Sequence, residues 1–541
     1  MDFQRIILVV TFLLSLGLVW EGWQKYQHPE LVIAQNAPVR NSDIPSTSLK
    51  PASTLAVPAV TAAPVGGTVL HVKTDTLDVE INTLGGDIQR LSLLQHPDGE
   101  DKTQPFTLFK KGAGTHNYSA QSGLLGEGMP NHNTVFTADK TDYVLTGDTQ
   151  EVRLVAPVMN GVQATKVLTF HKGSYVIDVT YELQNQGTNA LNTSAYFQLI
   201  RDGESPVGGT QFVPTYTGAA VYTDKEKFQK VDFSTMDKAK VEYPKEGTDG
   251  WIGMVQHYFV AAWLPKDKTQ HEFFTRKLDS GLYSVGVVLP VAAIAAGQKG
   301  AITVPLYVGP AQSSLDKIAP GLGLTVDYGW LTIIAAPMFM AMTFLHGIVQ
   351  NWGVAIILLT VMIKLLFFPL SAASYRSMAK MRVVAPKLEK LKQQYGDDRE
   401  KLNRAMMDLY KTEKINPLGG CLPMLIQIPV FIGLYWSILE SVEMRYAPFF
   451  GWIQDLSTAD PYYILPLIMG ASMILQGRLN PTPPDPLQAK MMQIMPVVFS
   501  VVFFFFPAGL VLYSVVNNAL SIAQQWYITR GLEAEGLAAN H

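Results

Sequence analysis

A lysine within an apolar run is the residue of this chain best placed to act through its charge. Lys364 lies 13 residues into the hydrophobic stretch 351–373. A lysine at that depth in a bilayer costs roughly 2.5–3.5 kcal/mol, so it normally faces a cavity, a partner or an interface. The alternative is a side chain that extends to the inner headgroups. About nine residues, or roughly 13 Å of helix, separate Lys364 from the end of the stretch, which favours the cavity.

Other polar side chains recur at helical spacing inside the hydrophobic stretches. They are Thr360 one turn before Lys364, Gln427 with Tyr435, Ser472 with Gln476, and the series Tyr513, Asn517, Ser521 and Gln524. Such residues can instead hydrogen-bond between helices and stabilise a bundle. Because four stretches each carry a polar stripe, we predict that these side chains line one shared polar cavity.

The elements that must position these residues are hydrophobic segments, most of them in the second half of the chain. Charged residues make up 16% of the 541 residues, below the roughly 25% of soluble domains. A single cysteine, Cys421, excludes an intramolecular disulfide framework. The hydrophobic segments are 6–20, 331–345, 351–373, 418–439, 462–475, 487–506 and 510–528. The chain is therefore predicted to be a polytopic membrane protein.

The placement of lysine and arginine predicts the topology. Segment 374–415 holds eleven basic residues and must be cytoplasmic by the positive-inside rule. Loop 440–461 has one basic residue, Arg445, against four acidic residues, and is predicted to face outward. The basic segment is cytoplasmic only if 331–345 does not cross, so that run is predicted to lie on the outer surface as an amphipathic helix. Six spans remain, with both termini in the cytoplasm.

The first 66 residues are predicted to be an anchor followed by a linker. The run 6–20 fits either a cleaved secretory signal or an uncleaved signal anchor. No small-x-small cleavage site follows, and Trp20 and Trp23 are typical of an interfacial anchor, which favours the second. Six prolines in 28–66 predict a flexible linker.

The segment from about 67 to 320 is predicted to be an exported β domain. Short runs with period-two alternation, such as 175–183, are separated by turn residues, which indicates a large antiparallel sandwich. The segment contains no P-loop, H-E-x-x-H pair or dinucleotide-binding glycine motif. It therefore offers no visible chemistry.

The basic segment is predicted to form a helical hairpin broken at Gly396-Asp397-Asp398. Leu402, Met406 and Leu409 recur at helical spacing, which predicts an internal apolar seam and a basic outside. Attraction to anionic headgroups is the alternative role of such a hairpin.

The sequence thus predicts a membrane α-helical bundle of six spans joined to a periplasmic all-β domain. Its segments are the signal-anchor span 1–24, the periplasmic linker 25–66, the β domain 67–320, the interfacial helix 321–349, the second span 350–373, the cytoplasmic hairpin 374–416, spans three to six in 417–529 and the cytoplasmic tail 530–541.

Several separate motifs occur in the order typical of one family. They are Ser374-Tyr-Arg-Ser-Met-Ala-Lys-Met-Arg, Gln393-Gln-Tyr-Gly-Asp-Asp, Lys414-Ile-Asn-Pro-Leu-Gly-Gly-Cys-Leu-Pro423, Asp460-Pro-Tyr-Tyr-Ile-Leu-Pro466 and Pro507-Ala-Gly-Leu-Val-Leu-Tyr513. Over roughly 330–533 the chain resembles the YidC/Oxa/Alb insertase family, and its long periplasmic insert resembles the Gram-negative branch. The resemblance implies a five-helix core and, for 67–320, a β-supersandwich similar in fold to sugar mutarotases. No sugar-binding residues are carried over, because a similar fold does not place a site.

The resemblance also implies a function. The family comprises non-enzymatic insertases and chaperones that place and fold inner-membrane proteins, alone or with the Sec translocon, and require no cofactor. A basic residue, usually arginine, occupies the position matching Lys364 in a groove open to cytosol and lipid, and attracts the acidic end of a substrate. Lysine keeps the charge but not the bidentate geometry.

The implied partners are nascent membrane proteins, the lipid bilayer, the Sec translocon, the ribosome and the signal recognition particle receptor, with no specific nucleic-acid sequence. The tail after Arg530 is short and not basic, so ribosome binding through the tail is not predicted. The predicted substrate contacts of the hairpin are Met378, Met381, Arg382, Met406 and Met407, because methionine is an adaptable apolar contact.

Three other functions are weighed against this one. A secondary transporter would use Lys364 in a permeation path, but the two halves show no inverted repeat. An intramembrane hydrolase would need a serine or acid pair with a histidine base, and no predicted span combines them. A periplasmic ligand sensor would bind a small molecule through 67–320.

Overall fold

The computed structural model describes residues 43–47, 67–99, 101–112, 116–204, 215–396, 398–413, 422–479 and 486–534. The predicted anchor 1–24, most of the linker and the end of the tail lie outside the described residues. The chain divides into two compact units, 46–277 with 281–541 and 1–45 with 278–280. The β domain and the helices that follow it lie, apart from residues 278–280, in the larger unit.

The β domain consists of two sheets. Its strands are β1 Val69–Lys73, β2 Leu77–Asn82, β3 Asp87–Pro97, β4 Pro105–Lys110, β5 Tyr118–Leu125, β6 Thr137–Ala138, β7 Asp142–Val144, β8 Thr149–Val155, β9 Val162–His171, β10 Val176–Asn185, β11 Ser194–Arg201, β12 Gly218–Thr223, β13 Lys227–Val231, β14 Glu246–Gly247, β15 Trp251–Gln256, β16 Phe259–Trp263, β17 His271–Lys277, β18 Tyr283–Pro290 and β19 Lys299–Pro310. One sheet has the order β14-β17-β18-β11-β5-β4-β3-β2-β1-β7, and the other β13-β12-β15-β16-β19-β10-β9-β8-β6. Among these pairings only β1 with β7 is parallel. The predicted all-β fold is confirmed.

Alternating apolar residues pack the two sheets against each other. Strand β2 alternates buried and half-buried side chains along its whole length, as expected for a strand with one face on the core. Phe197 on β11 contacts Tyr181 and Trp263 of the other sheet, with ring centroids 6.2 and 5.2 Å apart. All three rings are almost fully buried. Burial of aromatic rings between the faces stabilises the sandwich.

The C-terminal region is helical, as predicted. After a short helix within the β domain, α1 Phe233–Asp237, the helices are α2 Thr332–Val349, α3 Trp352–Leu366, α4 Phe368–Tyr395, α5 Arg399–Thr412, α6 Leu422–Glu440, α7 Ile464–Leu479, α8 Pro486–Val502 and α9 Ala508–Ala534. Within the described ranges, α2 alone has both the length and the hydropathy to cross a bilayer, and α3 with the start of α4 qualifies as a bent pair. The six predicted spans therefore stay a prediction.

Helix α2 corresponds to the segment predicted to lie on the outer surface. Its Ala335, Met338 and Met342 are buried, whereas Ile333 and Phe344 on the opposite side are 83% and 71% exposed. The Ser437 hydroxyl of α6 donates to the Ala335 carbonyl at 2.9 Å. The helix thus packs on the bundle by one side and presents an apolar side outward, and its orientation to a membrane stays a prediction.

The second predicted span is not one continuous helix. Helix α3 ends at Leu366, and α4 begins at Phe368 with a bend of 65°. Pro369 lies in the first turn of α4, where its missing N–H needs no partner, and it cannot donate a hydrogen bond that would continue α3. Helix α4 then continues past residue 373 into the predicted hairpin. The sequence prediction of about nine further helical residues after Lys364 in the same helix is therefore wrong.

The hairpin is formed by α4 and α5 on either side of Gly396–Asp398. The Asp398 side chain accepts a hydrogen bond from the Lys401 N–H at 3.1 Å and caps α5. Lys387 and Glu413 form an ion pair of 2.6 Å. Leu402, Met406 and Leu409 are half-buried, which fits the predicted inner seam.

The β domain contacts the loop between α6 and α7 through Arg445. Its guanidinium carbon lies 5.5, 5.8 and 5.9 Å from the ring centroids of Phe106, Tyr258 and Phe259, and 5.1 Å from that of the adjacent Tyr446. A cation above several aromatic faces is stabilised by their quadrupoles. We refer to these four rings as the aromatic box.

Two hydrogen bonds support the same contact. The Tyr446 hydroxyl donates to the Asp98 carbonyl at 2.6 Å. The imidazole of His257, at the turn between β15 and β16, donates from Nε2 to the Leu439 carbonyl at the end of α6, at 2.8 Å. Both sheets therefore contact the segment that follows α6.

Candidate functional site

Lys364 is positioned by the end of α3. Asn351 caps this helix, because its side-chain oxygen accepts from the Val354 N–H at 3.0 Å, and apolar residues occupy nearly every position up to the lysine. Lys364 lies in the last turn, two residues before the helix ends. The last carbonyl groups of a helix carry partial negative charge, which favours a cation there. Because α3 ends at the Phe367 break, its last carbonyl groups stabilise the positive charge of Lys364 inside an apolar region.

The Lys364 ammonium donates to the Ser521 hydroxyl of α9 at 2.7 Å. Ser521 in turn donates to the Asn517 carbonyl at 2.7 Å. Within the described part of the chain, no carboxylate lies within ion-pair distance of Lys364. The ammonium is thus held by a neutral acceptor, and no described carboxylate neutralises it.

A small cavity adjoins Lys364 between α3, α4 and α6. It is lined mainly by apolar side chains, with Lys364, Ser371 and Gln427 as its polar members, and has a volume of about 20 Å³. This is enough for about one water molecule. Lys364 therefore borders a small, largely apolar cavity in which Ser371 and Gln427 are the other polar side chains.

Gln427 and Tyr513 connect α6 to α9. The Gln427 amide donates to the Tyr513 hydroxyl, and the Tyr513 side chain is 1% exposed. Tyr435, two turns further along α6, packs against Phe506 with ring centroids 5.4 Å apart. Gln427 therefore lies on the cavity, whereas the ring of Tyr435 belongs to an aromatic cluster nearer the end of α6.

Three further predicted residues lie on the helices around Lys364. The Thr360 hydroxyl donates to the Ile356 carbonyl of its own helix at 2.7 Å and is buried. Asn517 is half-buried, and its carbonyl accepts from Ser521. The Gln524 amide donates to the Phe368 carbonyl at 3.4 Å, beside the break between α3 and α4. The stripe of α9 thus follows the side of the bundle that carries Lys364.

Of the two predicted residues on α7, Ser472 contacts a different side of α9. The Asn518 amide donates to the Ser472 hydroxyl at 3.1 Å, and the Gln525 amide donates to the Leu479 carbonyl at 3.1 Å. Gln476 is half-buried on the same helix. Asn518 and Gln525 form a second stripe on α9. Ser472 therefore bonds Asn518 of this second stripe and no residue of the stripe that contains Ser521.

Comparison with known proteins decides the family. A family model described as the YidC periplasmic domain matches residues 69–341, and one described as 60Kd inner membrane protein matches residues 344–535. A protein of Nitrosospira multiformis named membrane protein insertase YidC is 53% identical over 100% of this chain and 99% of its own length. A protein of the same name from Aromatoleum aromaticum is 53% identical over 99% of each chain. This chain belongs to the YidC family.

Solved structures are similar at lower identity. A structure described as an active YidC insertase with its first transmembrane domain resolved is 19% identical, with a TM-score of 0.41, and the match covers 85% of this chain and 95% of that one. A galactose mutarotase-like protein from Lactobacillus casei is 9% identical, with a TM-score of 0.31, over 44% of this chain and 99% of that one. The predicted likeness of the β domain to sugar mutarotases stays a prediction.

The predicted contact residues in the hairpin of this YidC-family chain differ in how exposed they are. Met378 packs against the cluster of Ala372, Tyr375, Ala379 and Ile528, whereas Met407 is 51% exposed. Met381 and Met406 are half-buried. Arg382 lies in α4, and its side chain is outside the described part. Met407 is thus the most accessible of the described predicted contacts.

Sequence reasoning missed four polar residues of the YidC-family bundle. Asn518 and Gln525 are seven residues apart, which is a helical spacing that can be read from the sequence. The prediction used only the adjacent stripe that contains Asn517 and Gln524. Ser371 on the cavity and Tyr375, whose hydroxyl interacts with Ser521, lie beyond the break, so a straight helix would have placed them elsewhere. Among the described residues no group of three or more histidine, cysteine or acidic side chains could hold a metal ion.

Proposed function

We propose that this chain inserts and folds integral proteins of the bacterial inner membrane by means of a polar groove centred on Lys364. The observation that carries the proposal is an ammonium held by a neutral hydroxyl beside a small cavity, in a chain of the YidC insertase family. The groove is open to the cytosol and to lipid, and its lining includes Thr360, Gln427 and the α9 stripe.

Charge attraction brings the substrate to the groove. An acidic flank of a hydrophobic segment enters from the cytosol, because Lys364 offers a positive charge that no described carboxylate neutralises. Opposite charges attract far more strongly in such a low-dielectric region than in water. The lysine therefore lowers the barrier for the hydrophilic end of the substrate.

The apolar segment of the substrate then moves into lipid along the outer faces of α6 and α8. Helix α8 carries a broad exposed apolar surface that includes Val497, Val501 and Val502, which are 55%, 51% and 42% exposed. Burial of about 20 apolar residues in hydrocarbon supplies the driving force. The process needs no nucleotide hydrolysis.

The proposed arrangement has six spans, a five-helix core, cytoplasmic termini and a periplasmic β domain. The basic hairpin of α4 and α5 receives substrates on the cytoplasmic side through Met378, Met381, Arg382, Met406 and Met407. The Sec translocon, the ribosome and the signal recognition particle receptor are proposed as further partners. Segment boundaries follow the sequence prediction, except that the second span is bent at Phe367.

Depletion of the protein in its host tests the proposal. The readout is protease accessibility of a small single-span protein with an acidic exported tail. We expect the tail to stay protected on depletion, and to become accessible again with the wild-type chain but not with Lys364→Glu. Lys364→Arg is the matched control, because it keeps the charge and should restore export.

Normal export in depleted cells would overturn the insertase function. Full complementation by Lys364→Glu would overturn the role of the charge and leave insertion itself standing.

A further inference from the structure

We propose that Ser521 is a positioning residue of the groove, which holds the Lys364 ammonium in place without neutralising it and thereby sets the preference for acidic substrates. This inference rests on the proposed function. It assigns the charge selectivity to a pair of residues on two helices rather than to the lysine alone.

The geometry of the Ser521 hydroxyl supports this role. Its single proton is donated to the Asn517 carbonyl at 2.7 Å, which directs the oxygen lone pairs away from the α9 backbone. One lone pair accepts from the Lys364 ammonium at 2.7 Å. The side chain also interacts with the Tyr375 hydroxyl of α4 and is 4% exposed. Ser521 is therefore a fixed acceptor between α3, α4 and α9.

The chemistry of the pair explains why a hydroxyl is needed here. An ammonium has three donors, and Ser521 uses one of them. A carboxylate at this place would form an ion pair and cancel the charge, whereas an apolar side chain would leave a long, flexible lysine free to reach the headgroups. A neutral acceptor fixes the position and leaves the attraction for an incoming carboxylate intact.

The position of the pair also relates it to the substrate path. Lys364 lines the small cavity between α3, α4 and α6, while Ser521 approaches from α9. Ser521 thus holds the ammonium from the α9 side, while the Lys364 side chain also lines the cavity. A substrate carboxylate that reaches the groove meets an ammonium whose location is already fixed, so less conformational entropy is lost on binding.

The test measures a ratio of insertion rates in membranes that contain the full-length chain. Two single-span substrates are compared that differ only in the exported tail, with aspartates in one and asparagines at the same positions in the other. The ratio of their rates reports charge preference and cancels any general loss of activity. The variants are Ser521→Asp, Ser521→Ala and Ser521→Thr, with Lys364→Gln as reference.

We expect Ser521→Asp to reduce the ratio to that of Lys364→Gln, because the new carboxylate pairs with the lysine. Ser521→Ala should lower the ratio by roughly tenfold, the usual worth of a hydrogen bond to a charged group. Ser521→Thr should keep the wild-type ratio, because threonine retains the hydroxyl. If Ser521→Asp is inactive towards both substrates, the alanine and threonine variants decide the question by themselves.

A wild-type ratio in Ser521→Ala, with a reduced ratio in Lys364→Gln, would overturn the inference and leave the proposed function standing. A wild-type ratio in Lys364→Gln would instead overturn the charge role on which the inference rests.

Discussion

Gln427 and Tyr513 form a side-chain pair whose contribution can be measured. Tyr513→Phe removes the hydroxyl that accepts from the Gln427 amide, and should lower the free energy of unfolding by about 0.6 kcal/mol, the average for hydrogen bonds between membrane helices. Unfolding in mixed detergent micelles measures it. Gln427→Leu and the double variant complete a cycle, and strictly additive losses would contradict a direct contact.

His257 makes the contact between the β domain and α6 sensitive to acid. Burial is the main cause that lowers the pKa of His257 to about 4; the hydrogen bond to the Leu439 carbonyl opposes it and the charge of Arg445 adds to it. The unfolded chain, with a pKa near 6.5, then binds the proton first, so stability is full above pH 6.5 and falls towards pH 4. At pH 5 the loss should be about 2 kcal/mol.

Thermal unfolding of the full chain at pH 7 and pH 5 measures this effect. His257→Gln keeps a donor for Leu439 without titrating, so it should remove the His257 share of the acid loss. His96 stays as a second contributor, since burial and Arg445 lower its pKa to about 4 as well. An acid loss in His257→Gln equal to that of the wild type would show that His257 is not responsible.

Residue types and spacing predicted much of the candidate site. The cost of a charge in an apolar run indicated Lys364, and helical spacing indicated Ser521, Gln427 and Tyr513, three residues that the structure brings into contact or close to the cavity. Spacing alone cannot assign a stripe to a partner helix, because neighbouring stripes on α9 are separated by one residue. The prediction of one shared cavity therefore placed Ser472 with Ser521, whereas Ser472 bonds Asn518 on another side of α9.

At the scale of elements, the capping of α3 offers a direct test. Asn351→Ala removes the oxygen that accepts from Val354 and the amide that donates to the Phe449 carbonyl at 3.1 Å. The free energy of unfolding should fall by about 1 kcal/mol. Asn351→Asp is the control, since it keeps the capping oxygen, and an equal loss in both variants would argue against the cap.

Element types were predictable from periodicity, whereas the break after Leu366 was not recognised. Apart from Lys364 and a few uncharged polar residues, the stretch 351–373 is apolar on both sides of the break, so hydropathy gives no sign of a bend. Pro369 was the available signal, because a proline either begins a new helix in its first turn or kinks a continuing one.

At the scale of the whole molecule, the aromatic box should hold the β domain to the bundle. Arg445→Ala removes the cation among Phe106, Tyr258 and Phe259, and should lower the free energy of local opening of residues 101–106 by about 2 kcal/mol, the worth of a desolvated cation–π contact. Hydrogen exchange of the full chain measures it. Lys102→Ala is the matched control, because this exposed ammonium lies 4.7 Å from the Tyr446 ring and should contribute less.

The sequence predicted a β domain and a helical bundle, but it did not predict the contact between them. Alternation with turn residues predicts strands, and apolar runs predict helices. The order of strands in the two sheets and the contact of Tyr446 with Asp98 join residues up to 348 positions apart. No local pattern encodes which distant residues meet, so these features required the structure.

The short helices of the bundle have a consequence for the surrounding lipid. Helices α7 and α8 contain 16 and 17 residues, which corresponds to about 24–26 Å at 1.5 Å per residue. A typical hydrocarbon layer is about 30 Å thick, and such a mismatch is relieved by thinning of the bilayer around the protein. If these helices cross the membrane as proposed, a substrate leaving the groove enters a layer that is already thinner than the bulk membrane, and its polar end has a shorter apolar distance to travel.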